Sequence, residues 1–163
     1  MRVISQNSVG LLYDKAEELS GQPHESWRAV YFRFSDRPEK KNVTLYNNFV
    51  VRAVIDLLAD TPGYIYLCDD ADIFILFQGA LRPVLARLAT HFGDVDPDQE
   101  IAGWVEGDFV NVFDLNRHWH EFYNLCSVKY HAGQAFEEET AHRRVFASHY
   151  VHGAYSSTGT KLA

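Results

Sequence analysis

The sequence predicts one α/β domain of the α+β type, whose central unit has the order strand–helix–strand–strand–helix–strand. Three observations lead to this class. Short runs of aromatic and β-branched residues alternate with longer segments whose apolar residues recur at helical spacing. Polar loops that contain Gly or Pro separate these segments. The chain of 163 residues, 47% of them hydrophobic, is long enough to bury one core.

Five short runs rich in aromatic and β-branched residues predict strands. They are residues 29–34, 64–68, 73–77, 101–105 and 109–113. The second and third runs enclose a short polar turn, as do the fourth and fifth, so we expect two β-hairpins. The runs of the first hairpin are almost continuously apolar, which is typical of central strands.

Five longer segments predict helices, the first four because apolar residues recur at helical spacing and the last because acidic residues stand near its start. They are residues 8–20, 44–59, 80–92, 116–131 and 134–150. Gly21 and Gly93 follow the first and the third helix as stop signals, and Pro83 is tolerated in the first turn of the third. A polar loop over 35–42 separates the first strand from the second helix.

The order of the elements is that of the split βαβ, or ferredoxin-like, unit. An N-terminal helix precedes this unit, and a hairpin and helices follow it. We therefore expect an antiparallel sheet covered by helices on one face. Residues 1–155 are expected to form this single domain. Residues 156–163 are interpreted as a linker and a vector-derived tail, so the domain is expected to belong to a larger bacterial protein.

Charge and cysteine usage limit the classes of partner. The net charge is −7 and no basic run occurs, which disfavours nucleic acid and anionic membranes as partners. The N-terminus has no long apolar run, so we expect neither a signal peptide nor a membrane anchor. Cys68 and Cys126 lie in apolar stretches and are interpreted as buried free thiols in a reducing cytosol. These features predict a cytoplasmic protein.

One family resemblance rests on the first strand and the first hairpin. The strand ends at Phe34-Ser35-Asp36, and the hairpin turn reads Asp69-Asp70-Ala71-Asp72-Ile73. With this element order, residues 28–92 resemble the GGDEF domain, the palm-type fold of diguanylate cyclases. In that family the first strand ends in a metal-binding aspartate, and the hairpin turn carries Gly-Gly-Asp/Glu-Glu-Phe.

The departures from the family motif lie in this turn. Asp69 and Asp70 stand at the two glycine positions, where a Cβ and a carboxylate would crowd the nucleotide and repel its phosphates. Ala71 takes the first acidic position, and Asp72 and Ile73 take the Glu and Phe positions. The resemblance therefore implies a degenerate, non-cyclising member that needs no cofactor. Such a domain would act as a regulatory or protein-interaction module, with another protein or a second copy as its partner.

An enzyme is the main alternative. Asp36, Asp69, Asp70 and Asp72 would then hold Mg²⁺ for a nucleotidyl cyclase or phosphoryl transferase, because hard cations take clustered carboxylate oxygens. A solvated turn is the preferred interpretation, since Asp is a favoured turn residue. His118 and His120 make a poor chelate, because positions two apart on a helix diverge by about 200°.

Aromatic residues are concentrated in the C-terminal third of the chain. One predicted helix carries Trp119, Phe122, Tyr123 and Tyr130. These four residues either pack on the sheet, as the apolar face of a helix usually does, or form an interaction surface, because aromatic residues dominate interface anchors. A small-ligand sensor with an aromatic-lined pocket is a third possibility.

Overall fold

The structure is a computed structural model that describes the backbone of residues 1–36 and 43–162 and the side chains of residues 1–36, 49 and 51–143. The chain separates into two compact units, Met1–Ser127 and Val128–Ala163. The elements in chain order are β1 (Arg2–Ile4), α1 (Ser8–Ser20), β2 (Trp27–Phe32), a 3₁₀ turn (Phe34–Asp36), α2 (Val43–Leu57), β3 (Gly63–Leu67), β4 (Ile73–Gln78), α3 (Leu81–Ala89), β5 (Val110–Asp114) and α4 (Trp119–Leu162).

The five strands form one mixed sheet in the order β1-β3-β4-β2-β5. Strand β4 pairs antiparallel with both β2 and β3, and β5 pairs antiparallel with β2. The first predicted strand and the first hairpin therefore lie side by side, as expected. The expectation of a wholly antiparallel sheet is wrong, because β1 adds to the edge of β3 in parallel.

Two apolar layers cover opposite faces of the sheet in the first unit. Successive side chains of β2 point to opposite faces of the sheet. Val30 and Phe32 pack in the layer that contains α2 and α3. Ala29 and Tyr31 pack in the layer that contains α1 and the start of α4. Every residue of β4 from Ile73 to Phe77 is buried. The prediction that helices cover one face is thus wrong, because the sheet presents apolar side chains on both faces.

The second predicted hairpin is not formed. Residues 109–113 correspond to β5, whereas residues 101–105 contribute one isolated bridge, from Gly103 to Val112. The N–H of Val105 donates to the side-chain oxygen of Asn111 at 2.9 Å, so a side chain takes the place of a backbone partner. This segment is a loop held to the sheet by single contacts.

The two predicted C-terminal helices are one helix, α4. Gly133 lies between the two predicted helices, but one glycine weakens a helix by only about 1 kcal/mol and does not end it. Residues 156–162, expected as a linker, have helical backbone. In the described part of the chain, no helix combines the length and the apolar character that crossing a membrane requires.

Gly63 at the start of β3 offers a direct test of the pairing between β3 and β4. Its φ is 153°, and a Cβ there would lie 2.8 Å from the Cβ of Phe77 and would also collide with the carbonyl oxygen of Leu76. We expect Gly63→Ala to lower the free energy of unfolding by more than about 2 kcal/mol, measured by urea titration. Gly93→Ala is the control, since a Cβ at that position would meet open space. Equal stability of the two variants would contradict this pairing.

Candidate functional site

Asp72 is a buried carboxylate in the protein's first unit. It stands directly before β4 and is 1% exposed. Its side chain accepts hydrogen bonds from the Tyr31 hydroxyl at 2.5 Å, from the Ser35 N–H at 2.8 Å and from the Ser35 hydroxyl at 3.1 Å. A carboxylate can be buried at low cost when it is paired in this way. Asp72 therefore joins the hairpin to the end of β2.

The turn before Asp72 has backbone geometry that directs this side chain inward. The Cys68 N–H donates to the Asp72 carbonyl at 2.9 Å, and the Ala71 N–H donates to the Cys68 carbonyl at 3.0 Å. Ala71 takes a left-handed conformation with φ of 77°, which a residue with a Cβ rarely adopts. Asp69 and Asp70 remain exposed, and Asp70 accepts the N–H of Asp72 at 3.1 Å.

Asp36 is exposed and lies at the end of the 3₁₀ turn. It forms an ion pair with Arg33, whose guanidinium carbon lies 4.8 Å from the centre of the Trp104 ring. The charge of Asp36 is therefore compensated by the neighbouring Arg33. The cation–π contact with Trp104 helps to hold the arginine in place.

The four aspartates do not act as one ligand set. Asp72 turns into the core, Asp36 pairs with Arg33, and Asp69 and Asp70 face solvent. Among the side chains of residues 1–36, 49 and 51–143, no group of three or more His, Cys, Asp or Glu is placed to hold one metal ion. The sequence could not show this separation, because the partners of Asp72 lie 37 and 41 residues away along the chain.

Burial raises the pKa of Tyr31 well above its usual value of 10, and the hydrogen bond to Asp72 raises it further. The hydroxyl therefore stays protonated through the neutral range and remains a donor to Asp72. Sequence reasoning missed this buried contact, since Tyr31 reads as one more aromatic residue of a strand.

The histidine group makes structural contacts. His118 accepts the backbone N–H of Asp114 through Nδ1 at 3.3 Å, a weak bond near the start of α4. Glu121 accepts the N–H of Trp104 at 3.2 Å. His120 is exposed. In the part of the chain whose side chains are described, neither imidazole belongs to a group of three or more His, Cys, Asp or Glu side chains that could hold a metal ion.

The four aromatic residues predicted to form an interaction surface differ in how deeply they are buried. Phe122 is completely buried against Phe113, so its inclusion in an interaction surface is wrong. Trp119 is half-buried and stacks on His24 with 4.2 Å between ring centres. Tyr123 is half-buried and donates to Glu17. These side chains follow the helical stripe, which places its centre in the core and its margins at the surface.

In the second unit, Tyr130 is half-buried and packs against His131 with 5.4 Å between ring centres. Phe136 is 69% exposed and Val128 is 57% exposed. Exposed apolar side chains are thus present in the C-terminal third, and they include the aromatic Phe136, whereas the four aromatic residues of the predicted helix over 116–131 are buried or half-buried.

A groove of about 540 Å³ lies between β1 and α1 in the first unit. Its lining residues come from both elements and from β3: Arg2, Val3, Ile4, Ser5, Gln6, Leu11, Asp14, Lys15, Glu18, Tyr64 and Tyr66. Tyr66 is 1% exposed, and burial raises its pKa above the usual value. Lys15 lies 5.3 Å from the centre of the Tyr64 ring and pairs with Glu18 at 3.2 Å. Sequence reasoning missed this groove because β1 itself was not predicted.

Comparison of the chain with protein-family models, with curated proteins and with solved structures found no match.

Removing the hydroxyl of Tyr31 tests the buried hydrogen bond. We expect Tyr31→Phe to lower the free energy of unfolding by about 1–3 kcal/mol, because Asp72 then keeps a buried charge with one donor fewer. Thermal and urea unfolding measure the change. Tyr64→Phe, at a half-buried tyrosine of β3, is the matched control and should change the stability by less than about 0.5 kcal/mol. A Tyr31→Phe variant as stable as this control would contradict the assignment.

The dependence of stability on alkaline pH tests the hydroxyl of Tyr31 a second time. The pKa of Tyr31 is raised in the folded state, so its contribution to stability is complete below pH 10 and is lost as the pH rises above that value. One such tyrosine makes the free energy of unfolding fall by at most about 1.4 kcal/mol per pH unit above pH 10. We expect urea titrations at increasing pH to give a shallower decline for Tyr31→Phe than for the wild type. Identical slopes would show that Tyr31 ionises equally in the folded and unfolded chains.

Proposed function

We propose that the chain is a cytoplasmic, non-catalytic regulatory or protein-interaction domain with a degenerate GGDEF-type core. It acts by presenting a surface, as a module of a larger bacterial protein or as a homodimer. The single observation that carries the proposal is the buried carboxylate of Asp72. In the resemblance, this residue stands at the Glu position of the hairpin turn, and here it accepts three hydrogen bonds from the protein's own groups.

The strand arrangement supports a ferredoxin-like, palm-type assignment for the core. The elements β2-α2-β3-β4-α3-β5 follow the order of a split βαβ unit. In the sheet, β4 lies between β2 and β3, and β5 lies on the other side of β2. The pairing of Phe32 with Ile73 brings the end of β2 beside the start of β4. The hydrogen bonds from Ser35 to Asp72 are consistent with that placement.

The chemistry of the turn supports the loss of catalysis. A palm-type metal site needs carboxylate oxygens free to bind the cation and backbone that the nucleotide can approach. Here both oxygens of Asp72 are engaged by protein donors. Asp36 is paired with Arg33, and Asp69 and Asp70 put exposed negative charge where phosphates would approach. Each feature opposes binding of GTP with a divalent cation.

An assay of GTP turnover tests the proposal. We expect the purified protein to form no cyclic di-GMP from GTP with Mg²⁺ or with Mn²⁺, while an active diguanylate cyclase assayed in parallel does so. Asp36→Ala is the paired variant and should behave like the wild type, because the proposal gives Asp36 no catalytic role. Product formed by the wild type and abolished in Asp36→Ala would overturn the proposal in favour of a metal-dependent nucleotidyl cyclase.

A further inference from the structure

Strand β1 forms one edge of the sheet. It is three residues long, and within the described chain no strand lies on its outer side. An edge strand presents backbone N–H and C=O groups that another strand can pair with. Natural proteins commonly protect such an edge with charged residues, a bulge or a covering helix. Here the middle residue of the edge is Val3, which is 38% exposed.

The groove beside β1 is lined by exposed apolar side chains from both β1 and α1. Leu11 of α1 is 41% exposed and lines the same groove as Val3. These two are among the few large apolar side chains that the described part of the first unit leaves exposed. The edge strand and the neighbouring helix thus offer apolar side chains together with the backbone N–H and C=O groups of a sheet edge.

The charges of this groove are balanced. Arg2 and Lys15 supply two positive charges, and Asp14 and Glu18 supply two negative ones. The whole chain, in contrast, carries a net charge of −7. The groove is therefore a place where two copies of the chain can approach without the repulsion that the net charge would otherwise impose.

We propose that β1 pairs antiparallel with β1 of a second copy, which joins the two five-stranded sheets into one continuous sheet. This inference rests on the proposed interaction function and names the surface that serves it. A two-fold contact places the same patch on both copies, so the patch must be complementary to itself. The groove meets this condition because Arg2 of one copy can face Asp14 of the other, twice. Lys15 and Glu18 already pair with each other within one copy, so a partner of one charge sign would match only one of the two remaining charges, Arg2 and Asp14.

Sedimentation equilibrium of the full chain, without an N-terminal tag, tests the contact. We expect a reversible monomer–dimer equilibrium over about 1 to 200 µM protein. Leu11→Glu should weaken the dimer at least tenfold, because it puts two like charges beside the two-fold axis. Val105→Glu is the matched control, since Val105 is 37% exposed and lies outside this groove. This control should leave the equilibrium unchanged. Circular dichroism checks that each variant is folded.

Exchanging the charges at positions 2 and 14 tests the same contact if Leu11→Glu fails to fold. Arg2→Glu and Asp14→Arg are each expected to weaken the dimer, and the double variant is expected to restore it. A chain that is monomeric over the whole range overturns the proposal, as does a dimer indifferent to Leu11→Glu and to both charge reversals. The GTP assay separates the two proposals: an inactive monomer overturns the dimer alone, whereas cyclic di-GMP formation overturns the non-catalytic function whatever the oligomeric state.

Discussion

The buried carboxylate of Asp72 is the interaction on which the arrangement of the first unit depends. A charge inside the protein must be met by donors, and Asp72 takes its donors from Tyr31 and Ser35. These partners belong to β2 and to the turn that follows it, whereas Asp72 stands before β4. The same contact that fixes the position of the hairpin uses the oxygens that a metal site would need. In the proposed non-catalytic domain, the stability of the first unit and the loss of catalytic chemistry would have one physical cause.

Much of the fold could be predicted from local sequence because its elements carry strong periodic signals. The predicted helix over 8–20 coincides with α1, and the apolar runs at 64–68 and 73–77 correspond to β3 and β4 within one residue. Continuous apolar character correctly indicated that β4 is central, since both of its faces are covered. Short polar turns joined these elements in the expected order.

The errors come from features that local sequence does not encode. The strand over Arg2–Ile4 is too short for a periodic signal and exists because β3 offers it an edge. Burial of Asp72 depends on Tyr31, which is distant in sequence and adjacent only through the pairing of β2 with β4. Phe122 follows the same stripe as Trp119, and only the packing shows that one is core and the other half-exposed.

The coupling between Tyr31 and Asp72 is the most direct test of whether this carboxylate holds the hairpin to β2. A double-mutant cycle with Tyr31→Phe, Asp72→Ala and the double variant, measured by urea unfolding, isolates the energy that the two side chains share. We expect a coupling of at least about 1 kcal/mol, because either single change leaves a buried polar group without its partner. Additive changes in the free energy of unfolding would contradict this expectation, because Asp72 would then not be held by β2.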